Sequence, residues 1–119
     1  MTDRNPQDCS NDGPSRIAIF GGTFDPIHCA HLTVAREAVA QFHLDRVLFV
    51  PAANPPHKVE LAASYEHRYR MVELACGCDS RFVPSRLEQG RRKSYSIHTI
   101  RKVRAELKPE DRLFFLIGA

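Results

Sequence analysis

Four short apolar runs punctuate the chain, at residues 16–20, 46–50, 81–84 and 112–117. They are continuous rather than alternating, which predicts strands covered on both faces, as in a parallel sheet. The stretches between them repeat apolar positions at helical spacing. Leu32, Ala35, Ala38, Val39 and Phe42 form one stripe. Tyr65, Tyr69, Val72 and Cys76 form a second, and Ile97, Ile100, Val103 and Leu107 a third. Each predicts a helix with one face on a core, leaving Arg36, Glu37 and Gln41 outward on the first. Residues 43–45 end the first helix. Ser64 is placed to cap the second and Gly77 to stop it. Ser94 or Ser96 can cap the third, and Pro109 lies just past its end. Pro84 marks the third strand as an edge, and Leu87 and Glu88 extend as a further short piece. Strand and helix alternate throughout, so the expected class is α/β with right-handed crossovers.

Composition narrows this picture. At 119 residues the chain is one domain at most, and 43% hydrophobic residues suffice for a core. No uncharged apolar run is long enough to span a membrane. Residues 1–15 are polar and of mixed charge, a disordered lead-in without the apolar centre of an export signal. The domain is expected over 16–119 and the location in the cytoplasm. Cys9, Cys29, Cys76 and Cys78 then read as free thiols, and Cys76-Gly77-Cys78 has the wrong spacing for a redox or zinc motif. Net charge is +3, with Arg86, Arg91, Arg92, Lys93, Arg101, Lys102 and Arg104 gathered late. Without interleaved aromatics these favour a phosphorylated small substrate or a solvated helix face over nucleic acid.

The candidate chemistry sits in residues 20–31, Phe-Gly-Gly-Thr-Phe-Asp-Pro-Ile-His-Cys-Ala-His. Gly21 and Gly22 permit a sharp turn and a close ligand approach. Asp25, preceding Pro26, is excluded from the helical region. His28 and His31 are three apart and share a face at a helix start, where free N–H groups and the dipole also point. That combination predicts an anion site, with phosphate as the anion. Zinc is the weaker reading, because two histidines supply half a structural ligand set. Residues 51–58 leave the carboxyl end of a strand, where open α/β sheets bind ligands, so His57 and Lys58 can reach the same place. From the residues alone Tyr95 and Ser96 divide evenly between a binding role and simple capping.

The run 20–31 resembles the Gly-x-Phe-x-Pro-x-His-x-Gly-His signature of the nucleotidyltransferase superfamily. Its Gly-Gly-Thr-Phe-Asp-Pro form is similar to the bacterial nicotinate-mononucleotide adenylyltransferases, with Ala30 where that family usually has glycine. Asn54-Pro55-Pro56-His57-Lys58 and Ser94-Tyr95-Ser96 with Thr99 resemble two further motifs of the same enzymes, and His67-Arg68…Met71 resembles another of their patterns, read as mainly structural. The resemblance implies a Rossmann-like parallel sheet of order 3-2-1-4 with helices on both faces, incomplete here, with the fourth strand left as an edge. It implies transfer of AMP from ATP to nicotinate mononucleotide, with Mg²⁺ carried by the ATP and no metal held by the protein. It assigns ATP to Gly21, Gly22, Thr23, Phe24, His28 and His31, with the two histidines catalytic. Lys58 would contact phosphate, Tyr95 and Ser96 the nicotinate carboxylate, and Asp25 and Thr99 would support. Family members continue past Ala119, so a C-terminally truncated chain is expected. Homo-oligomerisation stays open. Cytidylyl transfer, phosphopantetheine adenylyl transfer and an inactive nucleotide-binding fragment are the alternatives.

Overall fold

The computed structural model describes residues 14–53, 63–88 and 96–117. Four strands, β1 (Arg16–Gly22), β2 (Arg46–Pro51), β3 (Phe82–Pro84) and β4 (Arg112–Ile117), alternate with α1 (Cys29–Phe42), α2 (Tyr65–Cys76) and α3 (Ser96–Glu106). The sheet runs in the order β3-β2-β1-β4, with every pairing parallel. The short β3 with its Pro84 lies at one edge, as a proline that cannot donate to a ladder requires.

Strand pleating sends alternate side chains to opposite faces. Ala18, Phe20, Val47 and Phe49 meet Ala35, Ala38 and Val39 of α1 and Val72 and Cys76 of α2 on one side. Ile19 and Val50 meet Val103 of α3 on the other, with Leu48, Ile100, Leu113 and Phe115 around them. This is why the strand runs are continuously apolar. β4 stands at the other edge, and its residues Leu113 to Leu116 are only half-buried.

The amino-terminal rim of the sheet is tied by polar groups. Asp45 Oδ2 accepts from Arg16 N at 2.7 Å, and Asp45 N returns a bond to Arg16 O at 2.6 Å. Asp111 accepts from Ser15 N at 2.8 Å and Lys108 N at 2.9 Å. Those two backbone donors hold its carboxyl below the usual carboxylate range. Arg104 donates to Asp111 O and Lys108 O, so part of the late basic cluster serves the fold.

One local expectation changes, and the helix ends take particular forms. Leu87 and Glu88 form a turn, where Leu87 N donates to Ser85 Oγ, rather than an extended piece. Gly77 closes α2 in a right-handed conformation, φ −64°, with its N–H on Leu74 O, so it does not act as a left-handed cap. The left-handed cap is His43 after α1, φ 54°, whose N–H bonds Val39 O. Ser64 caps α2 as expected, its Oγ accepting from His67 N at 3.3 Å.

Candidate active site

The loop from β1 to α1, with the candidate histidines, lies at the carboxyl rim of the sheet. Gly21 and Gly22 complete β1 and neither has a positive φ. The sharp turn falls instead on Phe24, at φ 52°. A left-handed conformation costs an ordinary residue roughly 1–2 kcal/mol, and burial of the Phe24 ring, 3% exposed, offsets it. That ring packs edge-on to Phe20 at 5.5 Å and to His31 at 5.1 Å, and lies close beside Gly22. The Asp25–Pro26 peptide is cis.

His28 is the extended N-cap of α1, and His31 sits three residues on. The Nδ1 of His31 accepts the backbone N–H of His28 at 3.0 Å. The Nδ1 of His28 accepts that of Ala30 at 3.3 Å. Each ring closes a capping interaction normally made by Ser, Asp or Glu. A neutral imidazole with an occupied Nδ1 acceptor carries its proton on Nε2. The rings lie 4.2 Å apart, tilted by 40°. They are unequal in exposure: His28 is exposed, whereas His31 is 9% exposed against Phe20 and Phe24. Burial, and after it the neighbouring His28, lowers the pKa of His31. The N–H groups of His28, Ala30 and His31 are thus already engaged, the last by His28 O at 3.0 Å, and what suits an anion with several oxygens is the pair of Nε2–H donors at the positive end of the helix dipole.

The β2 exit adjoins this loop. Ala52 N bonds Gly22 O at 2.8 Å. Arg68 of α2, fully buried, reaches both loops, its Nη1 donating to Thr23 O at 2.9 Å and Ala52 O at 2.7 Å. Its Nε donates to Ala63 O at 3.1 Å, while Nη2 is buried without a hydrogen-bond partner among the described residues. Asp25 is half-buried and close enough to raise the Arg68 pKa against the lowering by burial. Arg68 belongs to the His67-Arg68…Met71 pattern, read from the sequence as mainly structural. Its signal in the sequence is a cation among the stripe residues Tyr65, Tyr69, Val72 and Cys76.

The remaining expected residues divide. Thr99 is buried in the first turn of α3, its Oγ1 without a hydrogen-bond partner among the described residues. Ser96 opens α3, but its side chain, with all of Lys58, His57 and Tyr95, lies outside the described residues. Arg86 is engaged by Glu66 at 2.8 Å and by the Tyr69 ring at 3.8 Å. Cys29, Cys76 and Cys78 are free thiols, and Cys9 is outside the described residues. No helix among the described residues is long and apolar enough to cross a membrane.

The model of a family described as cytidylyltransferase-like matches residues 19–119. This chain belongs to that family. Among curated relatives it is 64% identical over 105 residues to a probable nicotinate-nucleotide adenylyltransferase of Solibacter usitatus, covering 87% of this chain and 56% of the relative. It is 54% identical over 105 residues to one of Thermus thermophilus, covering 87% and 55%. The chain thus spans about half the length of these relatives. The solved nicotinic acid mononucleotide adenylyltransferase of Plasmodium falciparum, complexed with NaAD, superposes with a TM-score of 0.68 at 23% identity. The match covers 85% of this chain and 50% of that one. This cytidylyltransferase-like chain therefore shares the fold of that enzyme.

Proposed function

We propose that this chain carries the ATP-binding part of an enzyme that transfers AMP from ATP to nicotinate mononucleotide. A phosphate oxygen of the mononucleotide attacks the α-phosphorus of ATP. The bond from that phosphorus to the bridging oxygen breaks, and pyrophosphate leaves with the electron pair. No protein nucleophile is needed, so catalysis is positioning and charge stabilisation. His28 and His31 donate from Nε2 to phosphate oxygens, and Gly21, Gly22, Thr23 and Phe24 line the approach. Lys58 contacts phosphate, Tyr95 and Ser96 receive the nicotinate carboxylate, and Asp25 and Thr99 support. Magnesium arrives on the triphosphate. Nucleotide oxygens and water would coordinate it there.

The observation that carries this reading is the histidine pair. Both Nδ1 atoms are committed to backbone N–H groups, and both rings stand at one helix start at the ligand rim. The test is pyrophosphate release from the 119-residue chain. Release with ATP and nicotinate mononucleotide is expected. Preference for CTP with glycerol phosphate, or for ATP with phosphopantetheine, would replace the substrate assignment. Because the chain spans about half of its relatives, a second reading is a nucleotide-binding unit without turnover. Binding of an ATP analogue with no release would select it.

A further inference from the structure

We propose that Arg68 is a positioning residue that fixes the histidine loop against the β2 exit, and so sets the geometry in which His31 meets a nucleotide phosphate. Its guanidinium is fully buried and reaches three carbonyls on three segments: Ala63 ahead of α2, Thr23 after β1, and Ala52 after β2. One nitrogen, Nη1, serves both Thr23 and Ala52, so these carbonyls are held within a single hydrogen-bond shell.

Thr23 immediately precedes Phe24, whose left-handed backbone, φ 52°, needs an external hold. The Thr23 carbonyl is one end of that peptide. Gripping it from α2 fixes the peptide plane, and the plane directs the Phe24 ring. The ring in turn forms the apolar wall of His31, 5.1 Å away. The path from Arg68 to His31 therefore consists of one hydrogen bond, one strained residue and one ring contact.

Burying this cation is costly without a structural return. The planar fork is the feature that lysine cannot copy, since an ammonium is a point charge on a flexible stem. Arg68→Lys thus keeps the charge and removes the fork. The comparison separates position from electrostatics.

The experiment follows the His31 ring by NMR through a pH titration without nucleotide, in the wild-type chain and Arg68→Lys. Expected for the variant is a pKa rising toward the ordinary value of about 6.5 as the Phe24 wall loosens, with shifted Phe24 and Asp25 amides and unchanged Ala18 and Val47 amides. A folded variant with the wild-type His31 titration and Phe24 amide overturns the proposal. Should the variant fail to fold, the wild-type Arg68 Nε–H decides. Slow exchange with solvent supports the clamp, and exchange as fast as in free arginine overturns it. The effect on nucleotide rests on the function proposed above. α,β-Methylene-ATP should bind Arg68→Lys at least about tenfold more weakly than wild type, and equal affinity overturns the positioning role. Absence of binding to wild type overturns the nucleotide reading alone, and the His31 titration still judges Arg68.

Discussion

The Nδ1 atom of His31 accepts the backbone N–H of His28 at 3.0 Å, so the ring proposed to hold phosphate also caps its helix. The two jobs use opposite nitrogens and can be separated by substitution. The oxygen of Asn stands where Nδ1 does, close to the backbone, while the amide of Gln reaches the place of Nε2.

His31→Asn is therefore expected to keep the cap and lose the phosphate donor. Turnover should fall about 100- to 1000-fold, roughly 3–4 kcal/mol of transition-state stabilisation. The melting temperature should stay closer to wild type than in His31→Ala, which loses both. Steady-state pyrophosphate release and thermal unfolding, run on both variants, check this. An Asn variant with wild-type turnover contradicts the assignment.

The pH dependence of stability has a defined sign. His31 binds its proton less readily folded than unfolded, because burial disfavours the cation. Its contribution is complete above about pH 6.5 and is lost as pH falls from there through the lowered folded value. A proton on Nδ1 also displaces the His28 N–H. Asp111 acts in a separate, more acidic window, below the ordinary carboxylate pKa of about 3.9. Urea unfolding between pH 8 and pH 5 should show the first loss in wild type and its absence in His31→Asn.

The glycine pair predicts a split between folding and binding. A Cβ on Gly22 would lie 3.4 Å from the Phe24 ring, and one on Gly21 3.4 Å from the Phe115 ring, both ordinary contacts. Gly22→Ala should change stability by less than about 1 kcal/mol while weakening the ATP analogue. Phe24→Ala should cost about 3–5 kcal/mol, since it empties a core position. Chemical denaturation with calorimetric titration distinguishes the two.

How far the sequence speaks depends on the kind of feature. The strands are legible because a sheet covered on both faces leaves no polar position, and 112–117 shows this even at an edge. The helices are legible from their stripes. The paired histidines are legible from spacing and the helix start. Their inequality is less so, although His31 lies four before Ala35 and seven before Ala38 and thus on the buried stripe. Conformational freedom assigns the sharp turn to glycine, yet tertiary packing places it on Phe24. Arg68 is legible only as a structural position in the His67-Arg68…Met71 pattern, because its carbonyl partners come from distant segments.

The cysteines report the site without an assay of turnover. Cys76 is buried and its thiol is pushed up to about 12, so it should resist alkylation until the chain unfolds. Cys29 is exposed and directly follows His28. A bound ATP analogue should protect it, whereas exposed Cys78, beside Arg36 at 3.2 Å, should label at an unchanged rate. Peptide mass mapping after timed alkylation reads each thiol separately.

Asp45 and Asp111 fasten the strands where they enter the sheet, while at the exit side-chain lacing passes through Arg68. The sheet is bound like a fan at its handle. Replacing Arg68 should therefore let breathing of the strands widen toward the carboxyl rim. Amide deuteration should then advance from the tips of β1 and β2 back toward their roots, so the compliant margin is also the one that a ligand could stiffen.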